Sequence, residues 1–232
     1  MDDELRGFGS DTFTLNFGPA KRKLYVPQDI LVQIPFFRHA LSSDSFVESS
    51  RKSFDLLEDD VKVVADVLYY TYTDNVPRLS KVLERPYPPE HQAMVSGYIR
   101  AYVTADKLMT ELTTNRLFDV IVTYLSDQVL NPQDIGILSR ANLQESDLYK
   151  LFVDELAWFS ASSPEIIQRS QSIDLVSVFS SMSQEDTARI LVAVGHVDYD
   201  SHNPCRKIVE EDLCRFHVHK ETPKCVWETS NC

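Results

Sequence analysis

Residues 24 to 76, LYVPQDILVQIPFFRHALSSDSFVESSRKSFDLLEDDVKVVADVLYYTYTDNV, carry in order the signals of a strand, two short helices, another strand and a longer helix. Leu24 and Val26 start an apolar strand that Pro27 stops. Proline suits the first position of a helix, where its missing N–H has no intrahelical partner, so Pro27 and Pro35 fit the starts of two short helices. Those helices bear Ile30, Leu31, Phe36, Phe37 and Leu41. Phe54, Leu56 and Leu57 fit a further strand. Asp59 or Asp60 can then cap a helix whose Val61, Val64, Ala65, Leu68 and Tyr72 make one apolar stripe. Tyr69, Tyr70 and Tyr72 are expected to pack in the core with their hydroxyls at its edge.

Upstream, Phe13, Leu15 and Phe17 alternate with Thr12, Thr14 and Asn16, the period of a strand with one buried face. Gly18 and Pro19 break it, so residues 12 to 26 read as a hairpin. Lys21, Arg22 and Lys23 fall at its solvated tip, although three basic residues also suit part of a nuclear import signal. Downstream, residues 76 to 93 hold four prolines among alternating charges and read as an exposed connection. Tyr98, Tyr102, Ala105, Met109 and Leu112 recur at helical spacing, and Leu117, Ile121, Leu125 and Val129 extend another helix.

These residues resemble the BTB/POZ domain, in its divergent fungal form. The resemblance rests on Leu31 with Phe36-Phe37, Phe46-Val47-Glu48, the acidic Leu57-Glu58-Asp59-Asp60, the YYTYTDN segment at 69 to 75, and Ala105-Asp106-Lys107-Leu108 with Leu112. Pro27 and Gln28 stand where that family commonly has histidine and lysine, and Ile34 where it has serine. The resemblance implies an α+β fold, a small sheet with a helical cluster, followed by an α-helical C-terminal extension. It also implies a noncatalytic protein–protein interaction module that binds protein partners and self-associates as a homodimer, or a substrate adaptor that binds the cullin of a ubiquitin ligase. The expected organisation is a flexible N-terminus at 1–10, a BTB/POZ-like domain at 11–127, a helical extension at 128–200 and a cysteine- and histidine-containing tail at 201–232.

In the extension, Ser146 can cap a helix bearing Leu148, Leu151, Phe152, Leu156 and Phe159. Ser163-Pro164 punctuates before an apolar segment from Leu175 to Phe179. Ser183 with Asp186 marks another helix start, and Gly195 suits its stop. In the tail, residues two apart on an extended segment face the same way, so His217 and His219 can approach one cation while Cys214 and Cys225 complete four ligands. Thiolate and imidazole together suit a structural zinc, giving a zinc-organised regulatory protein as a further alternative. The other reading is reduced thiols with histidines exposed or packed on the helices, and Cys205 and Cys232 leave further pairings open.

The formal charge of −12 opposes nonspecific binding to nucleic acid or anionic lipid, whose affinity comes from phosphate neutralisation. No run approaches the roughly 18 apolar residues of a membrane span, so no membrane association is expected. MDDELRGFGSD lacks the basic start and apolar centre of a secretory signal, which points to an intracellular site in cytoplasm or nucleus. For catalysis the sequence offers little: Gly7-Phe8-Gly9 lacks a third glycine and a preceding strand, and neither a P-loop lysine motif, a G-x-S-x-G elbow nor an H-E-x-x-H pair occurs. No enzymatic activity is expected.

Overall fold

Phe13, Leu15 and Phe17 form the buried face of β1 (Thr12–Phe17), as their alternation requires. The chain turns through Gly18, at φ +63, and Lys21, at φ 46, and returns antiparallel as β2 (Arg22–Pro27) with Leu15 opposite Leu24. In a computed structural model of the chain, the residues described are 11–42, 51–77, 89–126, 132–161, 179, 182–197, 204–211, 216, 217 and 220. Pro27 ends β2 and occupies the N-cap of α1 (Gln28–Leu31), and Pro35 opens α2 (Pro35–Ser42). The chain then reaches β3 (Ser53–Leu56), which lies parallel to β1 with Leu15 opposite Phe54. The strand order is therefore β2-β1-β3. A parallel neighbour needs a crossover longer than a hairpin turn. The segment holding α1 and α2 supplies it.

The third strand is shorter than its sequence suggests. Phe54 and Leu56 are buried, but Leu57 lies beyond the strand and is half exposed. Asp60 caps α3 (Val61–Thr73), accepting hydrogen bonds from the Lys62 and Val63 amides at 2.8 and 3.3 Å. Asp59 instead receives Lys107 Nζ at 2.7 Å. The buried side chains of α3 are Val64, Val67 and Leu68, so the core stripe lies nearer Val67 than the expected Val61–Tyr72 line.

A second correction concerns residues 76 to 93. Val76 is buried and a long helix, α4 (Pro89–Lys107), already begins at Pro89, the helix-start position where proline is tolerated. The expected run from Tyr98 to Leu112 is two helices rather than one. Tyr98, Tyr102 and Ala105 are buried on α4, after which the chain breaks and α5 (Glu111–Leu125) starts afresh. Leu117, Ile121 and Leu125 are buried as their spacing predicts, and Val129 lies outside the described residues.

The described part continues with α6 (Pro132–Arg140), α7 (Asp147–Ala161), α8 (Gln184–Val194) and α9 (Pro204–Glu211). The Ser146 hydroxyl accepts from the Tyr149 amide at the start of α7, and Leu148, Leu151, Phe152, Leu156 and Phe159 are all buried. α7 packs against α6, α8 and α9. Ser183 caps α8 by accepting from the Asp186 amide, and Gly195 follows the helix as its C-cap. The expected features at Ser163-Pro164 and Leu175 to Val178 lie outside the described residues. Among the described residues, no helix is long and apolar enough to cross a membrane.

Two compact units result. One comprises Met1–Pro77 with Arg100–Thr114, and the other Arg78–Ile99 with Asn115–Cys232. The first contains the sheet and its aromatic core, and the second is centred on α7.

Candidate interaction surface

The first unit leaves unusually large apolar groups in water. Tyr69 and Tyr72 stand three residues apart on one side of α3, 58% and 44% exposed, so the tyrosine cluster is not the core feature expected of it. Tyr70 is the most covered of the three, and its ring meets Tyr69 edge-on at 6.2 Å. Tyr25 projects from β2 between the partly buried Leu24 and the buried Val26. Tyrosine presents a broad apolar face with a hydroxyl that stays wet, which is why it is enriched where proteins meet other proteins.

Met109 and Leu112 add to this exposed set, and the backbone explains their position. The Met109 amide donates to Asp106 O and the Thr110 amide to Ala105 O, both at 2.9 Å, a Schellman closure of α4. Met109 takes the left-handed place in that closure, at φ 57. Glycine normally fills it, and a residue with a Cβ loses about 1–2 kcal/mol there. Met109 accepts that strain while its side chain remains about half exposed. Met109→Gly should therefore raise stability by about 0.5–1 kcal/mol in urea unfolding, the released strain exceeding glycine's extra chain entropy. A destabilised variant would show that the thioether packs and is not strained.

Two contacts hold the segments bearing these groups. Lys107, next to the break, bridges Asp59 at the entry to α3, two residues from the exposed Leu57. Thr71 and Thr113 share a 2.9 Å hydrogen bond between the last turn of α3 and the first of α5. Tyr72 and Leu112 each adjoin one of those threonines in sequence. The exposed side chains thus sit on rigid helix ends and not on loose loops.

The tail is anchored within the second unit. The side chain of His217 is 3% exposed, its Nε2 is 2.7 Å from Asp119 Oδ1 on α5, and Phe216 stacks on Phe118 with ring centroids 5.9 Å apart. With Nε2 engaged by the carboxylate, any metal ligation by His217 falls to Nδ1, with Asp119 acting from the outer shell. Cys214, His219 and Cys225 lie outside the described residues. Among the described residues, no group of three or more histidine, cysteine or acidic side chains is placed to hold a metal. The Asp119 partner was missed in the sequence because 98 positions separate it from His217 and nothing local marks the pair.

Cys205 is a buried thiol on α9. Burial and the neighbouring Glu155 carboxylate both push its pKa well up, which suppresses the reactive thiolate. A shallow groove between α7 and α9, about 360 Å³, sets Lys150 and Lys207 beside Asp147 and Asp154 over Leu151 and Ile208. Its mixed charges create no field of one sign for a charged ligand. Burial raises the Asp154 carboxyl above its usual range, and its charge adds to the rise at the Cys205 thiol.

No protein-family model matches the chain, and no curated protein or solved structure matches it either.

Proposed function

We propose that this chain is a protein-interaction module of the BTB/POZ kind, acting by docking partners on the exposed apolar side chains of its first unit and carrying out no reaction. The observation that supports this reading most is the topology: a hairpin, two short helices, then a third strand parallel to the first, with further helices after it. That order agrees with the resemblance in the sequence, and it sets the Tyr69–Tyr72 face on a capped, well-packed helix. Fold alone does not specify function, so the exposed tyrosines carry the functional step. Aromatic side chains supply most binding free energy at interfaces, with surrounding polar groups excluding water. The adaptor role, including an attachment to cullin-type ligases, is a choice of partner within this reading.

The test is affinity capture by the intact chain from cells that naturally contain it, compared with Tyr69→Ala/Tyr72→Ala. Loss of two anchors should weaken a retained partner at least tenfold, as about 1–2 kcal/mol per anchor implies. Thermal unfolding should change far less than binding, because Tyr69 and Tyr72 are both exposed residues and not part of the buried core. Partners held equally by both forms would count against this surface, and turnover of a small molecule by the purified chain would count against the noncatalytic role.

A further inference from the structure

Strand β2 is an outer strand, since the order β2-β1-β3 leaves no strand on its far side among the described residues. Which of its main-chain groups face outward follows from the strand beside it. The Thr14 amide donates to Lys52 O at 3.0 Å, so the main chain of Thr14 is turned toward β3. Thr14 stands opposite Tyr25 and Asn16 opposite Lys23, which makes these the pairs without mutual hydrogen bonds. The N–H and C=O of Lys23 and Tyr25 therefore point away from β1. Among the described residues, no group takes them. Both side chains are exposed too, on the sheet face opposite the aromatic core, and Tyr25 is 58% open. Pro27 ends the row, having no N–H to offer.

We propose that this edge binds an acidic, extended segment of a partner protein, which joins the sheet as a further strand beside β2. The outward main chain selects the conformation, because a row of alternating donors and acceptors is met in full by another extended backbone. The charges select the sequence. Lys21, Arg22 and Lys23 lie together at the hairpin end of the edge, all exposed, and among the described residues none has an acidic partner. Elsewhere in this chain of net charge −12, Lys52, Lys107, Lys150 and Arg189 are each paired with a carboxylate. Asp55 shares the outer face but stands two strands away, where it accepts from Asn16 Nδ2 at 2.8 Å. Asp29, the first acid past the strand, lies in α1 beyond Pro27. Carboxylates arriving beside the turn thus meet uncompensated positive charge, and Tyr25 offers the side chains between them an apolar surface. A nucleic acid carries the same sign of charge but has no backbone that satisfies the Lys23 and Tyr25 groups.

So short an edge makes a reversible contact that weakens as salt rises. The inference rests on the interaction-module reading and gives it a second contact, with a partner of stated chemistry. Its test is fluorescence anisotropy of a labelled short peptide alternating glutamate and valine, titrated with the full chain. Binding should saturate, weaken with salt, and fall at least tenfold in Lys21→Glu/Arg22→Glu/Lys23→Glu. Thermal unfolding of that variant should change little, because all three positions are exposed. Methylated peptide amides separate strand addition from charge attraction alone, since in an extended peptide the glutamate amides point to one side and the valine amides to the other. One methylated isomer should bind as the parent peptide does, and the other at least tenfold more weakly. The proposal is overturned by the absence of saturable binding, by binding that survives the charge reversal, by isomers that bind alike, or by an oligonucleotide held more tightly than the peptide. The capture variant alters α3 and the charge reversal alters β2, so failure at one surface leaves the result at the other standing.

Discussion

Phe37→Ala should destabilise the first unit by about 3–5 kcal/mol, the usual loss when a large aromatic ring is removed from a packed core. Phe37 is fully buried, and its ring meets Phe36 edge-on at 5.1 Å and Phe54 at 5.0 Å, while Phe54 in turn lies 5.9 Å from Phe13. One side chain therefore ties α2 to β3 and, through Phe54, to β1. Its loss opens a cavity bounded by strands and a helix that cannot all collapse inward, which puts the expected value toward the upper end. Domains of this size are stable by only about 5–15 kcal/mol, so the variant should lose a large part of its unfolding midpoint in urea. Phe36→Ala should cost much less, because Phe36 is only partly buried. Circular dichroism during urea titration measures both. A loss under about 1 kcal/mol at Phe37 would mean that the aromatic cluster does not hold the sheet to its helices.

The contrast between these adjacent phenylalanines shows where sequence reading stops. The pair is visible as a core signal, yet nothing local says which ring turns inward, since that is decided by Phe54, seventeen positions on. Features governed by near neighbours were legible: the alternation of β1, the caps at Asp60, Ser146 and Ser183, and the inward face of α7. The break between α4 and α5 was hidden because methionine, not glycine, occupies the left-handed position. Apolar spacing then carried the expected helix straight through Met109 to Leu112. The tyrosines misled for a related reason. Their periodicity identifies a helix face, but whether another element covers that face is a tertiary fact. For the tail, the ligand pattern is plain in the sequence, and the contact that positions His217 is not.

The same division between local and distant determinants makes Asp186 the most informative residue of the second unit. Its carboxylate is buried and accepts hydroxyl hydrogen bonds from Tyr149 on α7, Ser139 on α6 and Ser183 at its own helix cap. The sequence shows only the last of these. Three helices thus converge on one charge, and Arg189 lies 5.7 Å above the Tyr149 ring beside it. Burial by itself would raise the Asp186 carboxyl, but the donations from Tyr149, Ser183 and Ser139 and the charge of Arg189 outweigh it and hold the pKa below the ordinary value. Asp186→Ala would strand three part-buried or buried hydroxyls and should cost about 3 kcal/mol, since buried charged hydrogen bonds are lost together with their partners' solvation. Tyr149→Phe removes one donor and should cost about half as much. The pH dependence has a definite sign. A lowered folded-state pKa means that Asp186 stabilises the fold fully above its unfolded value of about 3.9, and that this contribution disappears as pH falls through the folded value. Tyr149 behaves in the opposite sense: burial and then its bond to Asp186 raise its pKa, so stability declines as pH rises above the unfolded value of about 10. The gap in stability between wild type and Asp186→Ala should hence be constant from about pH 5 to 9 and narrow below about pH 4. Urea midpoints across that range, followed by near-ultraviolet circular dichroism, decide it. A gap that persists unchanged into acid would assign the loss to packing around α8 and not to the charge.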